Sequence, residues 1–291
     1  MLSVEIDPLY VAARRVLLDA AGALGEHCGA LVLVGAQAVY LRAGDADLHV
    51  VAPYTTDADL SVDPAQLDDD PAITAAMTAA GFTLKIKVGG NGVEPGAWQR
   101  STNVGGVPQT IEVDLMVPEA LAPGHGSRDA RLPHHGKNAT RWAAGLEAAV
   151  LDNTAMAIAS LEPDHDPRTT VLRVAGEAAL LMAKAHKLGE RLAAGTPDRI
   201  KPKDAGDVFR LMRAPATPSQ AGARLAELGR HPDCTDSVAV GVGYLADLFG
   251  RPRARGVELA VQNLAAAVSE DELREVMPHY MDELLAAYRA G

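Results

Sequence analysis

The fold is decided by one stretch of the chain, Ala30-Leu-Val-Leu-Val-Gly-Ala-Gln-Ala-Val-Tyr-Leu-Arg42. Its first part is a short apolar run rich in β-branched residues, which predicts a buried strand ending at Gly35. Residues 36–42 have the composition of a helix, closed by Gly44. Glycine lets the backbone approach a ligand, and a helix N-terminus presents free N–H groups to an anion. We therefore expect a strand, a turn and a helix, with Gly35 and Ala36 in the turn able to bind phosphate.

An acidic strand is expected next, at Thr56-Asp-Ala-Asp-Leu-Ser-Val62, where polar and apolar residues alternate. Residues two apart in a strand point to the same side, so Asp57 and Asp59 project their carboxylates together. The two charges repel each other, and a divalent cation removes the repulsion; oxygen ligands at this spacing suit Mg²⁺. Taken alone, such a pair is usually a solvated edge or turn. Asp57 and Asp59 are therefore candidate Mg²⁺ ligands. Whether they are assigned as ligands depends on which other residues lie near them.

A third acid follows in Ile111-Glu-Val-Asp-Leu115, which is predicted to be a strand. If this strand lies beside the one that carries Asp57 and Asp59, Asp114 completes a triad able to hold two metal ions for an in-line displacement at phosphorus. Glu112 shares a strand face with Asp114 and is the alternative ligand.

The remaining patterns predict an α/β region up to about residue 117, followed by a helical region. Helices are expected at 9–24 and 64–81, strands at 82–88 and 110–117, and a long loop at 118–142. The glycine-rich segment at 89–92 lacks the spacing of a dinucleotide fingerprint and is expected to be a hairpin loop. From about residue 170 to the end we expect helices, because apolar residues repeat at helical spacing. These are Val171, Val174, Ala178, Leu181, Ala185, Leu188 and Leu192.

Composition excludes several classes of protein. The chain has 291 residues with 48% hydrophobic and 22% charged, and no apolar run approaches the roughly 18 to 20 residues that a bilayer requires. The N-terminal sequence lacks the order of a signal peptide, so we expect the cytoplasm. Two isolated cysteines, Cys28 and Cys234, exclude a disulfide framework and a cysteine-based zinc site.

The net charge of −11 is unevenly distributed. Residues 1–117 carry 6 Lys and Arg against 15 Asp and Glu, residues 118–214 carry 14 against 12, and residues 215–291 carry 7 against 11. An acidic first part is therefore followed by a locally basic middle part. If a polyanion binds to the protein, we expect it where these two parts meet.

The order of a glycine turn, a helix, an acid-x-acid strand and a third acid resembles the DNA polymerase beta-like nucleotidyltransferase superfamily. Residues 34–42 followed by Thr55-Thr-Asp-Ala-Asp-Leu60 look most like the AbiEii-type toxins of type IV toxin–antitoxin systems. Lys184-Ala-His-Lys-Leu-Gly-Glu-Arg191 and Lys201-Pro-Lys-Asp-Ala-Gly-Asp-Val-Phe-Arg-Leu-Met212 are similar to that family's lysine-helix and Lys/Arg-Asp-x-x-Asp motifs. The resemblance spans roughly residues 30–213 in four patches. Ala36 departs from it, because the family has Gly or Ser there.

The resemblance implies a mixed α/β (α+β) fold in three parts. Residues 1–120 would form a nucleotidyltransferase-type sheet with flanking helices. Residues 121–169 would form a basic linker with peripheral strands, and residues 170–291 a helical domain that contributes lysines and aspartates to the cleft.

The second pair of motifs also has a physical interpretation. At 100° per residue, Lys184 lies about 60° and Lys187 about 120° from the centre of the apolar stripe. Lys184 is therefore expected to border the cleft and contact a triphosphate, while Lys187 and Arg191 face solvent or nucleic acid. Asp204 and Asp207 lie three apart on one helical face, where they can orient Lys184, Lys203 or the acceptor. The simpler alternatives are a lysine that snorkels from a core helix and aspartates that favour the helix N-terminus.

The predicted loop contains the adjacent residues His134 and His135 among several cations. It is either a phosphate-binding loop with a stacking aromatic or an exposed basic loop. A zinc site is not expected, because no third ligand is near in the sequence. The basic and aromatic residues of this loop are Arg128, Arg131, Lys137, Arg141 and Trp142.

Together these features predict a Mg²⁺-dependent enzyme that transfers a nucleoside monophosphate from an NTP to an acceptor and releases pyrophosphate. The resemblance implies that the acceptor is tRNA or another RNA, that the effect is toxic and that an antitoxin protein is the partner. A nucleotidyltransferase acting on a small molecule such as an antibiotic, and an inactive binding module, remain alternatives. The expected metal ligands are Asp57, Asp59 and Asp114, with Lys184 and Asp207 as further catalytic residues and Gly35, Ala36, Lys184, Lys187, Lys203 and Asp204 as nucleotide-binding residues.

Overall fold

A computed structural model describes residues 6–44, 54–124, 128–195 and 199–291. Its centre is one mixed, eight-stranded sheet. Seven strands follow the order β3-β4-β5-β2-β1-β8-β7, and β6 pairs with β5 outside this path. The strands are β1 (Leu31–Val34), β2 (Asp57–Val62), β3 (Thr83–Ile86), β4 (Val93–Val104), β5 (Val107–Pro118), β6 (Arg141–Ala143), β7 (Asn153–Ala159) and β8 (Thr169–Ala175).

Helices flank the sheet and form the C-terminal part. Asp7 caps the first helix by accepting a hydrogen bond from the Leu9 N–H group, and Pro8 suits its first turn. The helices are α1 (Pro8–Ala23), α2 (Gly35–Ala43), α3 (Ile73–Ala79), α4 (Glu147–Leu151), α5 (Glu177–Ala193), α6 (Pro202–Met212), α7 (Pro218–Leu228), α8 (Thr235–Phe249), α9 (Arg255–Leu264) and α10 (Glu270–Ala290).

The core is continuous from the sheet into the C-terminal helices. Trp98 of β4 and Leu17 of α1 are buried on the sheet side, and Phe209 of α6 and Phe249 of α8 are buried among the helices. This burial of large apolar side chains is the main source of stability. The predicted class, a mixed α/β sheet with flanking helices followed by a helical part, is confirmed.

Strand pairing places the acidic strand in the middle of the sheet. Strand β2 runs antiparallel to β1 on one side and parallel to β5 on the other. Strand β8 lies parallel to β1 on its far side. The expectation that the strand of Asp114 lies beside that of Asp57 and Asp59 is therefore confirmed.

The predicted helical stripe beginning at Val171 is wrong at its start. Residues Thr169–Ala175 form strand β8, and the helix begins only at Glu177. Burial alternates along the strand, since Leu172 and Val174 are buried while Val171 is 62% exposed. Valines at 171 and 174 fit a helical spacing by chance, but the β-branched run favours a strand. The expected boundary at residue 170 therefore cuts a strand of the sheet.

The predicted helix over 64–81 is also wrong in its first half. A short 3₁₀ helix covers Pro64–Gln66, and the α-helix covers only Ile73–Ala79. Pro71 lacks a backbone N–H group and follows three consecutive aspartates, which together interrupt the helix. The hairpin loop expected at 89–92 is confirmed, because β3 and β4 are antiparallel on either side of it. In the described part of the chain, no helix has the length and apolar character needed to cross a membrane.

Candidate active site

The turn after β1 requires glycine. Gly35 begins α2 with φ +68°, a conformation that other residues adopt only with strain. Val34 is the register partner of Asp59 on the neighbouring strand. A Cβ atom on Gly35 would lie 1.9 Å from Oδ2 of Asp59 and 2.8 Å from its Cβ. The turn therefore lies directly against an acidic side chain, and the buried Ala36 follows it in the first turn of the helix.

Four carboxylates lie on one face of two adjacent strands. Asp59 of β2 is the register partner of Asp114 on β5, and Asp57 is the register partner of Glu112. Register partners in neighbouring strands project to the same face of a sheet. The structure thus brings together the three predicted metal ligands, next to the glycine turn.

Burial and repulsion from neighbouring carboxylates raise the pKa values of Asp59 and Asp114. Burial, followed by repulsion from Asp57, raises the pKa of Asp59 above its usual value. Burial is also the main reason that the pKa of Asp114 rises to about 7; Arg141 opposes the shift and Asp59 adds to it. The buried Oδ1 of Asp114 has no hydrogen-bond partner among the described residues. Burial therefore makes Asp59 and Asp114 harder to ionise, and repulsion from neighbouring carboxylates adds to this effect.

Arg141 contacts Asp114, and the sequence analysis did not predict this contact. It begins β6, which runs parallel to β5, and its Nη2 donates a 2.6 Å hydrogen bond to Oδ2 of Asp114. Sequence analysis placed it in a basic loop. A three-residue strand gives too short a pattern to be recognised, so no signal in the sequence indicates the pair.

Glu112 is held by other partners. Its Oε1 lies 2.9 Å from Nζ of Lys85, and Nε2 of Gln99 donates to the same oxygen at 3.4 Å. Asp114 instead faces Arg141 and Asp59. Of the two alternatives on β5, Asp114 is therefore the better candidate for a metal ligand.

Asp57 is positioned by a network that the sequence analysis also missed. Gln37, two residues after the glycine turn, donates from Nε2 to the Asp57 carbonyl at 3.1 Å. Its Oε1 accepts a 2.9 Å hydrogen bond from Nε of the buried Arg14. The Thr55 hydroxyl donates to Oδ1 of Asp57. These contacts fix the backbone and one oxygen of the carboxylate.

The donor set fits Mg²⁺, although no three His, Cys, Asp or Glu side chains in residues 6–44, 54–124, 128–195 and 199–291 are arranged as a ready metal site. Mg²⁺ is usually held by one or two carboxylates and completes its shell with water and substrate phosphate. Asp57 and Asp59 supply such a pair. The unpaired Oδ1 of Asp114 supplies a further oxygen beside them.

Lys184 is buried between two aspartates and does not border the cleft as expected. Its side chain is 3% exposed, and Nζ lies 2.7 Å from Oδ2 of Asp207 and 2.9 Å from Oδ1 of Asp204. Burial lowers the pKa of Lys184, but the two carboxylates outweigh it and raise that pKa, so the lysine stays charged. The predicted pairing of Asp204 and Asp207 with Lys184 is confirmed, while direct contact of Lys184 with a triphosphate is not supported.

More exposed cations surround this buried group. Lys187 lies 3.0 Å from Asp204 and is 38% exposed, and Arg191 lies 3.3 Å from the same carboxylate. Lys203 lies 3.6 Å from Asp207 and 5.7 Å from the centre of the Tyr40 ring. Burial raises the pKa of Asp204, but Lys184 and Lys187 outweigh it and hold that pKa well below its usual range. Lys187, Arg191 and Lys203 thus surround the buried ion group of Lys184 with positive charge.

His135 has a structural role. It is buried, packs edge-on against His27 with ring centres 5.5 Å apart, and accepts a hydrogen bond from the Ile73 N–H group at Nδ1. Burial, followed by repulsion from His27, lowers its pKa. His134 is exposed, and its Nε2 lies 3.9 Å from Asp69. The two histidines therefore form no common site.

No model of a known protein family matches the chain, and no curated protein matches it either.

Proposed function

We propose that the protein is a Mg²⁺-dependent nucleotidyltransferase that transfers a nucleoside monophosphate from an NTP to a hydroxyl group and releases pyrophosphate. The observation that carries the proposal is the register pairing of Asp59 with Asp114, which gathers three carboxylates beside the glycine turn at Gly35. A phosphate-binding turn adjoining an acidic cluster is the arrangement that metal-assisted phosphoryl chemistry needs.

Asp57, Asp59 and Asp114 would hold Mg²⁺. The bound metal would supply Lewis acidity at the α-phosphate and neutralise charge on the pyrophosphate leaving group. Asp114 would also help to deprotonate the attacking hydroxyl. The N–H groups of Gly35 and Ala36 would bind phosphate oxygens of the NTP.

The lysines would have two roles, contact with phosphate and positioning. Lys187 and Lys203 are partly exposed and can neutralise the leaving pyrophosphate. Lys184 would position them indirectly, because it fixes Asp204 and Asp207, which pair with these two lysines. This assignment moves the phosphate contact from the buried lysine to its exposed neighbours.

The acceptor and setting follow from the family resemblance. The acceptor would be tRNA or another RNA, the reaction would take place in the cytoplasm, and the activity would be toxic and controlled by an antitoxin protein. The basic residues between 118 and 214 support a polyanionic acceptor.

An inactive binding module is the second candidate, and the Arg141–Asp114 ion pair favours it. The 2.6 Å bond engages one of the carboxylate oxygens that would otherwise be available to a metal. A protein of this kind would bind nucleotide or RNA without turnover.

The test is to incubate the protein with each α-labelled NTP, Mg²⁺ and total RNA, and to ask whether label enters RNA. Asp59→Asn should abolish labelling. Glu112→Gln is the matched control, since Glu112 lies on the same face but pairs with Lys85. Equal labelling by the wild type and Asp59→Asn, or no turnover of any NTP by the wild type, would refute the proposal.

A further inference from the structure

Residues 128–143 are fastened to the two long strands of the sheet. The Ala139 carbonyl accepts a 2.9 Å hydrogen bond from Nε1 of the buried Trp98 on β4. The segment ends in β6, which pairs with β5 and makes Arg141 the register partner of Met116. The fold therefore fixes the place to which this segment brings Arg141.

Gly96 makes room for the segment on β4. It has φ +70°, and its N–H group donates a 2.9 Å hydrogen bond to the Asn138 carbonyl. A Cβ atom on Gly96 would lie 2.6 Å from the backbone nitrogen of Arg141 and 3.0 Å from its Cγ. Any side chain at this position would push Arg141 away, so the approach of Arg141 to β5 requires glycine here.

Arg141 is held beside Asp114 at a cost to its own hydrogen bonding. Its Nη2 donates to Oδ2 of Asp114 at 2.6 Å and contacts Sδ of Met116 at 3.4 Å. Its Nε is buried and has no hydrogen-bond partner among the described residues. A buried donor without a partner is unfavourable. The contact with Asp114 is therefore the interaction that best explains why Arg141 lies there.

The ion pair leaves the second oxygen of Asp114 open. Arg141 engages Oδ2, whereas Oδ1 has no partner in the part of the chain that the structure describes. A carboxylate held through one oxygen presents the other in a fixed direction, and carboxylates that bind metals are themselves held by hydrogen bonds from neighbouring groups. When ionised, Asp57, Asp59 and Asp114 carry one more negative charge than a single Mg²⁺ neutralises. Arg141 supplies that positive charge.

We propose that Arg141 is a positioning residue of the metal site, which holds Oδ2 of Asp114 so that Oδ1 is presented to Mg²⁺. The inference rests on the proposed function. Arg141 would act through Asp114 and would touch neither the metal ion nor the nucleotide. Residues 128–143, expected to be either a phosphate-binding loop or an exposed basic loop, would then serve to place this one side chain.

The test measures Kd for Mg²⁺ by calorimetry, without NTP, and compares variants at the high-pH plateau, where protonation of the acids no longer affects the result. Arg141→Gln should raise Kd by about 10- to 100-fold, as loss of a group that orients a metal ligand commonly does. Arg141→Lys, which keeps the charge but loses the planar fork, should lie between the wild type and Arg141→Gln. Lys85→Gln is the matched control and should match the wild type, because Lys85 pairs at 2.9 Å with Glu112 on the same strand face.

A double variant shows whether Arg141 acts through Asp114. In the Asp114→Asn background, adding Arg141→Gln should leave Kd for Mg²⁺ unchanged, because the carboxylate that Arg141 orients is already lost. A further rise in Kd of the size seen in the single variant would mean that Arg141 acts elsewhere, and would overturn the inference.

Two other results of the single variant would also overturn it. Wild-type affinity in Arg141→Gln would show that Asp114 needs no positioning, and tighter binding would show that Arg141 obstructs the metal, as expected of an inactive binding module. Absence of Mg²⁺ binding by the wild type would overturn both this inference and the proposed function. Because Kd is measured without NTP, a wild type that binds Mg²⁺ but transfers no nucleotide counts against the proposed function alone.

Discussion

The carboxylate of Asp59 fills the space that a side chain at Gly35 would need. The two residues lie on neighbouring elements, and a Cβ atom at Gly35 would lie 1.9 Å from Oδ2 and 2.7 Å from Cγ of Asp59. The glycine turn and the acidic strand are therefore in direct contact. A ligand held by the turn would lie within reach of Asp59.

Gly35→Ala should reduce nucleotidyl transfer by at least about a hundredfold, because the new methyl group displaces Asp59 and a misplaced reacting group costs about that much. The positive φ adds strain of about 1–3 kcal/mol. Gly44→Ala is the control: it has φ +54° at the other end of α2 with open space around it, so it should share the strain and keep the activity. Initial rates of nucleotidyl transfer by both variants test this prediction. Full activity of Gly35→Ala would contradict the expected clash with Asp59.

Lys184→Met should destabilise the fold by about 3–5 kcal/mol, because it leaves Asp204 and Asp207 buried without their shared cation. Lys187→Met is the control, since Lys187 is 38% exposed and should cost no more than about 1 kcal/mol. Urea unfolding of both variants gives the free energies. Adding Asp204→Asn and Asp207→Asn to Lys184→Met should restore part of the loss. Similar values for the two single variants would argue against the buried ion group.

Mg²⁺ affinity should rise with pH through about 7. Metal binding requires ionised carboxylates, and Asp114, with a pKa of about 7, is mostly protonated at pH 6 and mostly ionised at pH 8. We expect Kd for Mg²⁺ to be about tenfold lower at pH 8 than at pH 6, as one proton must be displaced. Calorimetric titration measures this difference. Asp114→Asn should reduce it, and a wild-type affinity that does not change with pH would exclude Asp114 as a ligand.

Arg141→Gln should shift the pH dependence of Mg²⁺ affinity to higher pH. The Arg141 guanidinium opposes the rise in the pKa of Asp114, so its removal raises that pKa further. The midpoint of Mg²⁺ affinity against pH should then lie above that of the wild type. Arg131→Gln is the control, because Arg131 pairs with Asp129 in the same loop. A midpoint that moves equally in both variants would point to a general loss of charge.

Local sequence patterns predicted some of the strands and helices, and missed those that depend on pairing with distant segments. The unit of β1, α2 and β2 was predicted because a buried run, a glycine and an alternating acidic strand follow each other closely. Strand β4 was missed, since Pro95 and Gly96 lie inside it and both residues disfavour strands. Strand β8 was missed because two valines also fit a helical spacing and only pairing with β1 decides between the two.

The candidate site likewise contains residues that the sequence predicted and contacts that it did not. Period-two spacing predicted that Asp57 and Asp59 share one face, and the register pairing of β2 with β5 brings Asp114 to that face. The helical angle of Lys184 predicted the direction in which its side chain leaves the helix. It could not predict that Asp204 and Asp207 of α6 lie in that direction and bury the lysine. Arg141 depends on a short parallel pairing between segments 25 residues apart, which no local pattern contains.

Strand β8 is paired within the sheet and continues, after Gly176, into the helix that carries Lys184. The sheet is therefore joined directly to the helical part through this strand, and buried charges then join α5 to α6. A chain divided after Ala175 would give one fragment with the acids and another with the lysines. Neither fragment alone would assemble the proposed centre, and recovery of transfer on mixing would report their reassociation, as in a split-protein reporter.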